Sequence, residues 1–169
     1  MRKKYINGKK FAAERDYLQN MRKLVGTSLI HLPGVRALIF NEQKDILLQR
    51  RTDMPLWGLP AGAVELDESA LNALKREVWE ETSLKVLKAE PMALYSGPGQ
   101  WFRYPNGDEI QCFSVAFIVR AWQGQPRPDG VEGSEVRFFP LSQLPDNLVP
   151  IHQQTIEDYK KYSGTLLFS

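Results

Sequence analysis

Two periods organise the apolar positions of this chain. Between residues 12 and 25, Tyr17, Leu18, Met21, Leu24 and Val25 recur at helical spacing, which predicts an amphipathic helix with one apolar stripe. Val35 to Phe40 and Ile46 to Gln49 are β-branched or apolar runs on either side of a polar turn, and predict an antiparallel pair. Residues 52–67 are rich in Pro, Gly and Asp and predict a loop; helical periodicity returns over 68–82. Leu84 to Leu94 predicts a strand, and 96–109, with Gly97, Pro98, Gly99, Pro105, Asn106 and Gly107, a long loop or hairpin. Phe113 to Trp122 is nearly all apolar, as in a strand buried on both faces. Residues 123–134 are turn-rich, Val136 to Phe139 predicts a last strand and 151–162 a closing helix. Strands flanked by helices with mixed connections point to an α/β sandwich.

Composition narrows the class. A chain of 169 residues, 43% hydrophobic and 25% charged, suits one globular domain. It has no apolar run long enough for a membrane span. The basic start Met1-Arg2-Lys3-Lys4 is not followed by an apolar stretch and cleavage site, so no secretory signal is expected. A single cysteine, Cys112, cannot form an internal disulfide and fits a reducing, cytoplasmic setting.

The net charge of +2 conceals an asymmetry. Residues 1–30 hold eight of the 22 Lys and Arg but only two acids, leaving 14 basic against 18 acidic residues elsewhere. We therefore divide the chain into a basic helical extension, 1–32, and an acidic body, 33–169. The arm could touch a polyanion such as RNA, or pack on the body or on a second subunit. It lacks a dense Arg run with interleaved aromatics, which weighs against nucleic acid. Its apolar stripe needs burial, and a basic arm against an acidic body favours docking within the chain or across a homodimer.

Chemistry concentrates in the helix over 68–82. At about 100° per residue, Glu77, Glu80 and Glu81 fall within roughly a 100° arc. Leu71, Leu74 and Val78 would anchor the helix from an adjacent arc; Ala70 and Ala73 fall among the carboxylates and leave that face open. Carboxylates three and four residues apart repel one another. Near a helix C-terminus the macrodipole adds to that cost. Either the face is simply solvated or a cation sits on it. Oxygen ligands alone select hard ions such as Mg²⁺ or Mn²⁺.

The flanking residues decide between these readings. Gly62, Glu68, Arg76-Glu77, Glu80-Glu81 and Leu84 resemble the Nudix box, Gly-x5-Glu-x7-Arg-Glu-apolar-x-Glu-Glu-x-Gly-apolar, at every spacing, and Trp57-Gly58-Leu59-Pro60-Ala61-Gly62 resembles the approach to it. The wider resemblance covers roughly residues 34–150. One position departs: Ser83 stands where the family usually has glycine, and a left-handed serine there costs ~1 kcal/mol. Ala61 also replaces a frequent glycine.

The resemblance implies a Nudix-type α/β/α sandwich with a mixed sheet and a loop-helix-loop box. It implies metal binding by Glu77, Glu80, Glu81 and the Ala61 carbonyl, with Arg76 orienting the cluster and Glu68 as its ion-pair partner. A carboxylate from a later loop often completes such sites; Glu135 is the candidate, with Glu132 and Glu109 as rivals. Glu81 or Glu135 would take the proton of the attacking water. Arg50 resembles a phosphate-contacting position. Trp101 and Phe102, with Tyr104, sit where loop aromatics could stack on a base. Pro98 lies near a proline of ADP-ribose-cleaving members, and the long motif of NADH-cleaving members is absent. His31 and His152 fall outside the box and are expected to be structural or exposed; Cys112 is expected to be a buried apolar residue.

The expected function is hydrolysis of the phosphoanhydride in a nucleoside diphosphate linked to another moiety, with a nucleotide sugar or ADP-ribose favoured. Sanitation of a damaged nucleoside triphosphate and a non-catalytic nucleotide sensor are the alternatives. Sensors usually lose metal carboxylates, and this chain keeps them.

Overall fold

The computed structural model describes the backbone of two short strands, β1 (Tyr5–Ile6) and β2 (Lys9–Lys10), and residues 17–169 in full. The part of the expected first helix before Tyr17 lies outside the described residues. The described helix, α1, spans Tyr17–Val25. Then follow β3 (Ile30–Ile39), β4 (Ile46–Arg51), β5 (Trp57–Gly58), β6 (Ala61–Ala63), α2 (Ala70–Thr82), β7 (Lys85–Tyr95) and a 3-10 turn (Pro98–Gln100). The chain continues with β8 (Trp101–Arg103), β9 (Glu109–Gln123), β10 (Gly133–Phe139), α3 (Pro150–Lys160) and β11 (Leu167–Phe168).

A larger mixed sheet runs β11-β7-β9-β3-β6, with β8 also on β9, and a smaller one runs β10-β4-β5. β3 lies parallel to β9, placing Gly34 beside Ser114 and Arg36 beside Ala116, and β6 closes its other side antiparallel. Alternation along β3 explains the layering. Val35, Ala37 and Ile39 pack with Ala73, Leu74 and Val78 of α2, whereas Leu38 faces the opposite cluster with Tyr95, Ile118 and Ile156 of α3. The sheet is thus covered by a helix on each face. These strands bury about ten fully inaccessible aliphatic side chains, the dominant stabilising term.

The structure corrects several expectations. Strands 35–40 and 46–49 do not form a ladder: they join different sheets and meet only at the bridge Phe40–Ile46. Loop 52–67 contains β5 and β6, too short to show a period. The central strand β9 is buried on both faces only over 116–119; before that it alternates, and Phe113 is exposed. β3 begins at Ile30, so the division at residue 33 falls inside a strand. Leu71 does not anchor α2 but is exposed, and Ala73, expected on the open face, is fully buried. The α1 stripe is only partly covered: Leu24 is 82% exposed and Tyr17 is exposed, while Leu18 packs beside Leu32 and Ile110. Arg22 fixes α1 instead, donating to the carbonyls of Gly26, Ser28 and Glu109.

Helix α2 starts where Ser69 Oγ accepts from the Asn72 amide, and ends where Ser83 turns left-handed (φ 60°, ψ 16°) with its amide on the Trp79 carbonyl. The strain predicted for Ser83 is therefore present. Replacing it with glycine, Ser83→Gly, is expected to raise stability by about 1 kcal/mol, a few degrees in Tm, with activity retained. Thermal melting checks this, and a lower Tm would mean that the serine side chain makes its own stabilising contact.

Candidate active site

The box folds around one guanidinium. Arg76 Nε and Nη2 grip both oxygens of Glu68 at 3.0 and 2.9 Å, Nη2 also donates to the Ala63 carbonyl, and Nη1 donates to Glu77 at 2.7 Å and Glu80 at 3.0 Å. This fork ties the loop before α2, the edge strand β6 and the helix carboxylates together. The bonds to Glu68 in particular hold the Arg76 charge on and push the Glu68 carboxyl below its usual range.

Glu81 lies deeper, 3% exposed, and accepts from the Ala61 amide at 2.9 Å and from Gln49. Burial pushes the Glu81 carboxyl up to about 8 and Glu77 up to about 7. Gly62 makes room for Glu77: a Cβ there would sit 2.1 Å from the Glu77 carboxyl carbon. Glu80, at the helix surface, stands at the mouth.

Among the described residues no three acidic, His or Cys side chains converge as a ready metal cage, because Arg76 Nη1 stands between Glu77 and Glu80. The donor chemistry nonetheless fits a hard divalent cation. Glu81 is buried and Glu77 half-buried beside it, the carboxylate and carbonyl donors here are oxygens, and desolvation opposes ionising both acids without a cation.

A cleft of about 340 Å³ opens beside these groups. Glu77, Glu80 and Arg76 line one part of it, and Gly34, Arg36, Cys112 and Ser114 lie buried in its floor. Ala61 and Gly62 contribute the edge.

Several expected residues are placed otherwise. Arg50 is exposed and does not line the cleft; alternation along β4 sends Arg51 there, forked on Asp53 at 2.8 and 2.7 Å. Glu135 pairs with Arg137 at 3.7 Å and does not line the cleft, whereas its rival Glu132 does. The Glu132 loop is held by Asp129, whose carboxylate accepts from the amides of Val131, Glu132 and Gly133, and by the Thr52 amide on the Glu132 carbonyl. Glu109 ion-pairs with Arg103 at 3.8 Å, away from the cleft lining. Trp101 is 48% exposed and outside the cleft; Phe102 and Tyr104 line it, edge to face at 5.0 Å. Pro98 opens the 3-10 turn. His152 is buried and neutral, its Nδ1 accepting from the Leu59 amide at 3.1 Å; burial holds it well below the usual histidine range. His31 is exposed. Cys112 is buried, as expected, but also touches the cleft.

Sequence reasoning missed Arg36, Gln49 and Arg51. The signal for Arg36 was a charge inside an apolar strand, Val35-Arg36-Ala37-Leu38.

Comparison with known proteins places the chain in a family. The NUDIX domain family model matches residues 30–159. The chain is 30% identical over 131 residues to the Bacillus subtilis "Putative 8-oxo-dGTP diphosphatase", covering 78% of this chain and 81% of that protein. It is 34% identical over 129 residues to the "ADP-ribose pyrophosphatase" of Methanocaldococcus jannaschii, covering 75% and 72%. Among solved structures, the NUDIX domain of Shewanella oneidensis NrtR, complexed with ADP ribose, superposes with a TM-score of 0.65 at 24% identity, covering 89% of this chain and 98% of that one. The fold and the box together define a pyrophosphohydrolase-type α/β/α sandwich. The chain belongs to the Nudix family and is a Nudix hydrolase.

Two outcomes follow from the buried acids. A carboxyl whose folded-state value is raised contributes stability that is complete below about pH 4.5 and is lost as pH rises through the folded value. The metal-free protein should therefore lose stability between about pH 5 and 8, and Glu81→Gln should flatten that loss; melting curves across this range that are identical for both proteins would refute it. Gly62→Ala should leave Tm nearly unchanged, because the clash falls on the movable end of Glu77, while turnover drops; full turnover would show that the Glu77 position is immaterial.

Proposed function

We propose that this protein hydrolyses the phosphoanhydride of a nucleoside diphosphate linked to another group, with Mg²⁺ as cofactor and Mn²⁺ as a substitute. The observation that carries the reading is Glu77, half-buried against Gly62 at the wall of a cleft large enough for a nucleotide, with Glu81 buried behind it on the Ala61 amide. When bound, the cation would neutralise the diphosphate and polarise the phosphorus under attack. Glu77, Glu80, Glu81 and the Ala61 carbonyl would hold it. Arg76 fixes the helix carboxylates and Arg51 offers a charge at the cleft wall for phosphate. Glu81 accepts the proton of the attacking water, with Glu132 as the other base in reach of the cleft. Phe102 and Tyr104 offer faces for a base.

Nucleotide sugars and ADP-ribose remain the favoured substrates, the latter supported by the likeness to the Methanocaldococcus jannaschii protein. Sanitation of a damaged nucleoside triphosphate is the second reading, supported by the likeness to the Bacillus subtilis protein. The sensor alternative is disfavoured by the retained carboxylates. Among the described residues no helix is long and apolar enough to cross a membrane.

A phosphate-release screen over nucleotide sugars, dinucleotides and triphosphates with Mg²⁺ and with Mn²⁺ tests this. Glu80→Gln and Glu81→Gln should each lose most turnover while remaining folded, and Glu132→Gln should lose more than Glu135→Gln. Near-normal turnover of the Glu80 and Glu81 variants would remove the metal assignment, and a larger loss at Glu135 would restore it as the loop carboxylate.

A further inference from the structure

One charged group in the cleft has no part in the chemistry above. Arg36 lies in the row Leu32, Gly34, Arg36, Leu38 on the α3 face of the sheet and is 2% exposed. Its guanidinium donates to the Ile151 carbonyl at 2.9 Å, Thr155 Oγ1 at 2.9 Å and Gln100 Oε1 at 2.6 Å. All three acceptors are neutral, and Arg36 forms no ion pair among the described residues. The Tyr95 ring lies 5.0 Å from the guanidinium, and its hydroxyl donates to Asp158 at 2.9 Å. Desolvation without a counter-ion makes such a cation costly, and burial lowers its pKa accordingly. Neutral hydrogen bonds of this kind could be met by a neutral side chain, so the charge asks for another explanation.

Its surroundings supply one. Arg36 lines the cleft together with Ile110, Val149, Ile151, Phe102 and Tyr104, and the cleft's other arginines are committed to acids: Arg51, over the Tyr104 ring, is forked on Asp53, and Arg76 holds the helix carboxylates. The acids Glu77, Glu80 and Glu132 line the same cleft. On the nucleoside diphosphate reading, on which this inference rests, the acidic part takes the phosphates through the cation. The apolar part then receives a flat ring. Arginine offers donors and no acceptor. A ring edge bearing a carbonyl complements it; the amino edge of adenine would set donor against donor.

We propose that Arg36 is a specificity-determining residue that contacts the carbonyl-bearing edge of the substrate base, so that the enzyme prefers oxo bases such as guanine over adenine. Such a preference directs the reading away from ADP-ribose and toward guanine-type nucleotides, because a buried donor left unpaired penalises the wrong base strongly.

The test uses matched substrates, guanosine diphosphate glucose and adenosine diphosphate glucose, with the native enzyme, Arg36→Lys and Arg36→Gln. Binding of GMP and AMP is measured by calorimetry on the same proteins, independently of turnover. The native enzyme should favour guanine at least about tenfold in kcat/KM and in binding. Arg36→Gln should bring both ratios toward one, chiefly through KM. Equal preference in the native enzyme overturns the proposal. So does an equal loss on both bases in the variants with the ratio kept, which is what a purely structural Arg36 would give. If Arg36→Gln fails to fold, the native protein and Arg36→Lys decide. If neither glucose conjugate is cleaved, these substrates do not support the functional reading, and the GMP to AMP binding ratio still judges Arg36.

Discussion

The site depends on burying carboxylates that physics would rather leave in water. Glu77 and Glu81 face inward from α2 against β6, where desolvation opposes their charge. Arg76 makes this tolerable for Glu77, holding it with Glu68, Glu80 and the Ala63 carbonyl on one guanidinium, and the Ala61 amide and Gln49 do so for Glu81. The same contacts tie helix to edge strand, and glycine at position 62 leaves room for the Glu77 carboxylate where it lies. The long spacing of the box is therefore a packing requirement. Arg76 reaches Glu68 and Ala63, Glu77 fills the space over Gly62, and Glu81 takes the Ala61 amide, all across the loop-to-helix junction.

The sheet supplies two different walls because side chains alternate along a strand. Odd positions of β3 and β4 turn Val35, Ala37 and Leu47 toward α2, and Gln49 in the same row reaches Glu81. Even positions of β3 carry Arg36 to the opposite face, where α3 and the 3-10 turn hold it. The cleft collects side chains from both rows near β6, the short strand at the sheet edge. Carboxylates for a cation and a lone buried guanidinium thus reach one cavity without meeting as an ion pair.

What the sequence revealed was local, and what it hid was not. Glu77, Glu80 and Glu81 could be placed on one face because helix geometry is set by near neighbours, and the left-handed Ser83 followed from the helix end. Strand partners depend on distant segments: β3 sits beside β9, some eighty residues away, and no pattern within 35–49 could show that. Arg50 and Arg51 are neighbours, and one residue on a strand reverses the face, so that Arg51 and not Arg50 lines the cleft. Glu135 was favoured for opening a strand, yet Asp129 and Thr52 shape the preceding loop so that Glu132 lines the cleft. Leu71 misled because hydrophobicity at the first turn of a helix does not ensure that anything lies opposite it.

If the buried acids exist to hold a divalent cation, the ion's own binding should report it. Titration of the metal-free protein with Mn²⁺, followed by loss of the free-ion electron paramagnetic resonance signal, compares native protein with Glu81→Gln. The account predicts saturable uptake by the native chain and affinity at least about tenfold weaker in the variant, with both proteins folded. Equal affinity in the two would contradict it, because Glu81 would then be buried for some purpose other than metal.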